Sequence, residues 1–270
     1  ISPGAQQPSP EPAPRPARGT VSGLPAAELL ERSSGFWLSA PGGERSSRID
    51  RGPTPRQSAL VPILMYHHVR PIDFRSADTF SSSLTLPPAA FEQQLRYLKA
   101  RRIAGISIND LVLYLQGRKD LTGRSVVLTF DDGYLDNYQY AYPLLLRYGL
   151  TGTFYVITDL VERSDYMSWW QLRDMVASGM EIGSHTLSHP DLARVAASQR
   201  EKELGESKRT LESALGVAVT ALSYPSGAYS PEVVAAARKA GYSSGVTTVY
   251  GGVQDYRKTM ELPRVRVQGT

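Results

Sequence analysis

Short continuous apolar runs alternate along most of the chain with stretches in which apolar residues recur at helical spacing. Leu60-Val61-Pro62-Ile63-Leu64-Met65-Tyr66 is the first such run, and continuous apolarity is what a strand buried on both faces requires. Phe91, Leu95 and Leu98 follow a helical period; a strand is predicted over 103–108 and a helix over 109–117. Ser125-Val126-Val127-Leu128, bounded by Gly123 and Gly133, reads as a buried strand. A helix over 135–148 closed by Gly149 and a strand over 151–157 come next. Further strands are predicted near 180–184, 221–224, 243–247 and 264–267. The helices between them carry start and stop signals. Ser168 with Gln171 and Ser198 with Glu201 match the capping box, and Ser230-Pro231 sets a cap before a proline at the first helical position. Gly179, Gly216 and Gly241 fall where helices end. Strand and helix in repetition predict an α/β fold with a parallel sheet, and the count suits a closed (β/α) barrel better than an open sheet.

Residues 1–57 break this pattern. Pro, Ser, Gly, Ala and Arg dominate them, and the first lysine is Lys99. They read as an extended linker or tether, with 58–270 as the folded domain. Leu24–Arg32 could form one short helix ahead of Phe36-Trp37-Leu38, whose apolar side chains would pack on the barrel, meet a membrane or bind a partner. Residues Arg70 to Thr85 read as a long polar loop. The first residue is Ile1 rather than Met, which reads as a trimmed chain whose signal peptide would already be gone.

Composition narrows the chemistry. With no cysteine among 270 residues, disulfides and thiolate metal sites are excluded. No stretch approaches a membrane span, and no basic run with interleaved aromatics points to nucleic acid. The formal net charge of +4 fits plain solubility and is compatible with an anionic cell envelope.

The candidate chemistry gathers at predicted strand ends. Asp131 and Asp132 follow the run that ends in Thr129-Phe130 and precede Gly133. Asp-Asp-Gly is ordinary turn chemistry, but adjacent carboxylates leaving a buried strand also suit a cation ligand beside a base. The chain has only four histidines, in two pairs. His185 and His189 follow the predicted strand 180–184, and a spacing of four would put them on one side of a helical turn. With one carboxylate they would make a site that leaves a metal position open.

Thr129-Phe130-Asp131-Asp132-Gly133 and His185-Thr-Leu-Ser-His189 resemble the first two signature motifs of the polysaccharide deacetylases, the NodB-homology domain of carbohydrate esterase family four. The resemblance runs from about Val61 to Val267. It implies a distorted (β/α) barrel, a divalent metal (zinc, with cobalt or nickel also suited to these ligands) and hydrolysis of N-acetyl groups on β-linked N-acetylglucosamine polymers. On that resemblance Asp132, His185 and His189 hold the metal and Asp131 is the base. The third motif matches Ser223-Tyr224-Pro225-Ser226-Gly227, which makes the Ser226 backbone N–H and Tyr224 oxyanion or substrate contacts. Ser223, however, stands where the family has a base-orienting arginine. Arg264 or Arg266 could replace it, or could simply cap the sheet edge. The late histidine that serves the family as acid is missing, and His67 after Tyr66 matches the Tyr-His of the deacetylases acting on biofilm poly-β-1,6-N-acetylglucosamine. His67 is therefore the expected acid, with a structural role for it as the alternative, and strand alternation lets only one of His67 and His68 face the site. Trp169 is the expected wall of the acetyl pocket, although either Trp169 or Trp170 could be core. Tyr134 and Tyr229 are candidates to stack on sugar rings.

The expected protein is thus a monomeric, secreted or cell-surface, metal-dependent deacetylase of poly-β-1,6-N-acetylglucosamine. A deacetylase of peptidoglycan or chitin-like β-1,4 chains and an inactive carbohydrate-binding protein are the competing readings.

Overall fold

The computed structural model describes residues 54–72 and 83–267. The helix expected at Leu24–Arg32, the Phe36-Trp37-Leu38 segment and most of the expected polar loop lie outside them. From the first described strand the elements run β1 (Ser58–Leu60), β2 (Ile63–Tyr66), β3 (His68–Val69), β4 (Thr85–Leu86), α1 (Pro88–Ala100), β5 (Ala104–Ile106), α2 (Ile108–Leu115) and β6 (Ser125–Phe130). A π-helical turn (Asn137–Ala141) leads into α3 (Tyr142–Tyr148), followed by β7 (Thr153–Val156), α4 (Trp169–Ala177), β8 (Glu181–Ser184), α5 (Ala197–Leu215) and β9 (Ala221–Ser223). The chain ends with α6 (Pro231–Lys239), β10 (Ser244–Tyr250), β11 (Val253–Asp255) and β12 (Leu262–Arg266).

The strands β2-β12-β10-β9-β8-β7-β6 form a parallel series that closes where β6 pairs back onto β2. This is the closed (β/α) barrel expected from the repeat of strand and helix, with the distortion that the family resemblance implies. The distortion has a local cause. On the side away from β2, β6 pairs with β5 over its first half (Ser125 to Val127) and with β7 only at Thr129 and Phe130. The short β5 is thereby wedged under the barrel, and α2 follows it. Ile108, Leu111, Val112 and Leu115 of α2 pack with Ile63, Val127, Tyr155, Val246 and Leu262 as the barrel's inner core. Burying both the helix face and the barrel floor removes apolar surface that neither could hide alone. The start of α2 is doubly satisfied: Ser107 Oγ accepts the Asp110 N–H, and the Glu181 carboxylate accepts those of Ile108 and Asn109.

Period-two alternation sets the two faces of each strand. On β6, Val126, Leu128 and Phe130 point out to the helical layer while Val127 points in. On β2, Tyr66 points out, where Tyr66, Phe130 and Phe154 stack in sequence across three adjacent strands (5.2 Å, then 4.5 Å between centroids) with Phe91 of α1 edge-on to two of them. The inward positions at the strand ends are left for polar groups.

Most predicted boundaries are met within a residue or two. Ser168 and Gln171 form the complete capping box, Ser230 caps α6, and Gly149 and Gly216 close their helices in the left-handed conformation. One cap fails: α5 starts one residue before Ser198, with Ala196 at the cap and no side chain bonded there. The β1–β11 antiparallel pair beside the barrel was not anticipated, because its strands are only three residues long.

Candidate active site

β6 delivers Asp131 and Asp132 at its C-terminal end, and β8 delivers the segment 185–189 at the same end. One oxygen of Asp132 lies 3.4 Å from His185 Nε2 and 3.8 Å from His189 Nε2. The three ligand atoms sit within 4.8 Å of one another. Tetrahedral coordination with bonds near 2.0–2.1 Å puts ligand atoms about 3.3 Å apart, so the spacing fits a bound ion. The imidazole orientation fits as well. His185 Nδ1 is 2.7 Å from the Ser223 carbonyl, so this nitrogen donates its proton there and Nε2 keeps its lone pair for a metal.

The His185–His189 pair is not held by a helical turn, as the spacing suggested. Residues 185–190 are non-helical, and Thr186 and His189 both have positive φ (67° and 64°). The loop is held open by side chains. Thr186 Oγ1 accepts the His189 N–H at 3.0 Å. The Glu203 carboxylate, 1% exposed on α5, accepts the Leu187 and Ser188 N–H groups at 3.0 and 2.9 Å and the Ser188 hydroxyl at 2.7 Å. Asp132 and Ser226 are left-handed too, so four of the six non-glycine residues with positive φ among those described belong to the site. Such conformations persist only where surrounding contacts over-determine them.

Asp131 is buried, and the residue that holds it is Arg264. Its guanidinium forms a fork on the carboxylate, with Nη1–Oδ1 at 2.8 Å and Nη2–Oδ2 at 2.7 Å. The other N–H groups donate to the Thr247 carbonyl (2.9 Å), Thr129 Oγ1 (3.1 Å) and Ser223 Oγ (3.3 Å). All five donors of a 1% exposed arginine are therefore used. Burial alone would raise the Asp131 carboxyl, but the charge and hydrogen bonds of Arg264 outweigh it and hold the carboxyl well below the usual range. Arg266, two residues further along β12, is exposed at the rim. Its charge is felt by His67.

His67 follows the last residue of β2, on the inward parity, and interacts electrostatically with both Asp131 and Asp132. Desolvation lowers its pKa against those two charges. His68 turns the other way. Its Nδ1 pairs with Asp136 at 2.6 Å, and its ring stacks on Tyr134 at 3.8 Å. Tyr134 in turn stacks on Tyr166, and burial and the neighbouring Asp132 charge both raise its phenol pKa.

The expected contact of the Tyr224 side chain is corrected. Tyr224 lies on the outward parity next to inward Ser223. Its ring is in the outer core, stacked on Tyr229, and its hydroxyl donates to the Met260 carbonyl at 2.9 Å, so its side chain faces no substrate. Trp169 is partly buried against the outer core and lines a cleft between α4 and α5 with Arg173 and Arg209. Ser226 is exposed in the turn Pro225–Gly227 that follows β9. That turn needs Gly227, because with φ 71° an added Cβ would come within 2.1 Å of Thr248 Oγ1.

The family model for polysaccharide deacetylases matches residues 118–245. A Bacillus subtilis (strain 168) protein assigned to the polysaccharide deacetylases, YxkH, is 34% identical over 209 residues, which span 77% of this chain and 72% of that protein. The chain belongs to the polysaccharide deacetylase family. Among solved structures, the Streptococcus pyogenes deacetylase PplD in complex with acetate superposes with a TM-score of 0.74 at 30% identity, over 80% of this chain and 95% of that one. The poly-β-1,6-N-acetyl-D-glucosamine N-deacetylase of Staphylococcus aureus (strain MRSA252) is 26% identical, over 78% of this chain and 79% of that protein.

This deacetylase also uses residues that sequence reasoning passed over. Glu203 lies within α5, where it looks like any charged helix residue. Thr129 accepts from Arg264 and donates to the Leu64 carbonyl at 2.8 Å, which ties β6 to β2 directly beneath Asp131. Glu203 carries no sequence signal beyond a polar residue on a buried face, whereas Thr129 stands inside the Thr129–Gly133 motif without that motif showing what it binds.

Proposed function

We propose that this polysaccharide deacetylase is metal-dependent and removes N-acetyl groups from poly-β-1,6-N-acetyl-D-glucosamine. The observation that carries the reading is the pairing of the Asp132–His185–His189 trio with a second carboxylate, Asp131, fixed beside it by a buried guanidinium. Binding alone needs neither a base nor a metal, which counts against an inactive carbohydrate-binding protein. The substrate assignment draws on the Staphylococcus aureus relative, on His67 following Tyr66, and on the absence of any histidine beyond His189.

Asp132, His185 and His189 would hold the ion, with zinc favoured by two imidazoles and one carboxylate. When bound, such an ion acidifies water and polarises the acetyl carbonyl. Asp131 accepts the proton of the attacking water. With Arg264 on one edge of its carboxylate, lone pairs remain for that proton. The Ser226 backbone N–H is the oxyanion donor, worth roughly 3–4 kcal/mol in comparable sites. His67 gives a proton to the departing nitrogen. The carbonyl carbon gains the water oxygen, the C–N bond breaks, and acetate and a free amine leave. The amine makes the polymer partly cationic, which suits retention on an anionic cell surface and a secreted or surface-exposed enzyme.

The test is acetate release from matched β-1,6 and β-1,4 N-acetylglucosamine oligomers, with the enzyme stripped of metal and then given zinc, cobalt or nickel. Release that depends on metal, prefers β-1,6 linkage and disappears in Asp131→Asn is expected. A β-1,4 preference would move the substrate to chitin-like or peptidoglycan chains. Absence of release with every metal would overturn the enzymatic reading.

A further inference from the structure

His67 stands at the point where the chain leaves the barrel. The last barrel rung beside it is the Asp131 N–H on the Tyr66 carbonyl at 3.0 Å, and the next two residues belong to β3, which pairs with β4 instead. The sheet therefore does not fix His67. The residues that do so lie at the entrance to the π-helical turn. Asn137 Nδ2 donates to the His67 carbonyl at 2.9 Å, Asp136 Oδ1 accepts the Val69 N–H at 3.0 Å, and Asp136 Oδ2 pairs with His68 Nδ1 at 2.6 Å. Three consecutive residues are thus gripped by two, and the two sit a few positions after Asp131 and Asp132 on the same strand exit. Neither is solvated: Asn137 is fully buried and Asp136 is 8% exposed.

We infer that Asp136 and Asn137 form a clamp that sets the position of His67 over the Asp131–Asp132 pair, with Asn137 as the residue that acts on His67 itself. This rests on the reading of His67 as the acid. Two features favour a positioning role over plain structure. Asn137 Oδ1 is buried without a partner, a cost in stability that the one bond from Nδ2 to the His67 carbonyl does little to offset. The clamp also starts a π-helical turn, Asn137–Ala141, an uncommon geometry that concentrates at functional sites. By opening the helix one residue wider than α, the turn lets residues 136 and 137 both aim side chains at the same strand exit.

The variants are Asn137→Leu, His67→Ala and the double substitution, each assayed on a soluble N-acetylglucosamine oligomer with zinc-loaded protein. Zinc affinity, thermal midpoint and the imidazole proton–carbon NMR signals are followed in parallel. Asn137→Leu should lower kcat roughly 10–100-fold, as the loss of a supporting contact does elsewhere. KM and zinc affinity should stay close to those of the unaltered protein, the thermal midpoint should fall by no more than the loss of one hydrogen bond accounts for, and the His67 ring signal should shift or broaden while that of His189 does not. In the His67→Ala background Asn137→Leu should cost nothing further. A kcat unchanged by Asn137→Leu, or an equal loss in both backgrounds, would overturn the clamp. If His67→Ala keeps full activity, or the unaltered protein itself releases no acetate, the acid assignment fails and the ring signal alone decides: perturbed at His67 supports the clamp, unperturbed overturns it. Should Asn137→Leu not fold, Asp136→Asn, which keeps its shape and an acceptor for Val69, is judged by the same outcomes.

Discussion

Replacing Arg264 by methionine tests the electrostatic centre of the site. Methionine fills much of the aliphatic volume but removes all five donors, including both bonds to Asp131. Removing one partner from a buried ion pair typically costs about 3–5 kcal/mol, a large share of the roughly 5–15 kcal/mol that holds a domain folded. The sign of the pH dependence follows. In the unaltered protein Asp131 is depressed below its unfolded value by Arg264, so the pair stabilises fully above that unfolded value and the contribution is lost as pH falls through the folded one. In Arg264→Met only the weaker influence of His185 and His67 opposes burial, so the Asp131 carboxyl rises and the stability it contributes above its unfolded pKa shrinks or reverses. The stability gap between the two proteins should therefore widen from about pH 3 to pH 7 in denaturant titrations. For catalysis, the base would hold its proton to higher pH, and the acid limb of kcat/KM should move up with it. The loss at neutral pH should approach the roughly 10²–10⁴-fold contribution of a general base. A paired variant sharpens the test. Ser223 Oγ is 3.3 Å from Arg264 Nη2 and 3.5 Å from Asp131 Oδ2, so Arg264→Ser with Ser223→Arg would send a guanidinium to Asp131 from the opposite side. That double substitution should recover part of the activity that either single substitution loses. An Arg264→Met protein with an unmoved acid limb and a constant stability gap would refute the reasoning.

Glu203→Leu should lower zinc affinity roughly 10–100-fold through the freed 185–189 loop, as read by competition with a chelating dye; an unchanged affinity would show that the loop holds itself. Zinc at a hundredfold excess over its dissociation constant should stabilise the protein by about 2.7 kcal/mol, and Asp132→Asn should abolish the rise in thermal midpoint. Tyr224→Phe should cost about 0.5–1.5 kcal/mol of stability, the ordinary worth of one buried hydrogen bond, with kcat unaltered. A loss of kcat there would return Tyr224 to the substrate face.

The clustering of Asp132, His185 and His189 was legible because each lies within a few residues of a strand end, and strand ends are marked by apolar runs. The choice between Arg264 and Arg266 was not. They stand two apart on one strand, so alternation gives them the same parity, and only depth in the barrel separates a residue buried beneath Asp131 from one at the rim. Tyr224 is the reverse case. Ser223 occupies the position of an inward arginine, so period two already required its neighbour to face out, and the motif match obscured that inference. The His185–His189 spacing misled for a physical reason: four residues fit a helical turn and also fit a loop with two left-handed residues. Neither Thr186 nor His189 is a glycine that would have announced that conformation. The carboxylate of Glu203 makes it tolerable, from a helix residue 15 positions past Ser188. Asn137 is more distant still, 70 positions from the carbonyl it holds. Ligand identity is thus written locally, whereas the groups that fix those ligands come from elements whose adjacency exists only once the barrel has closed.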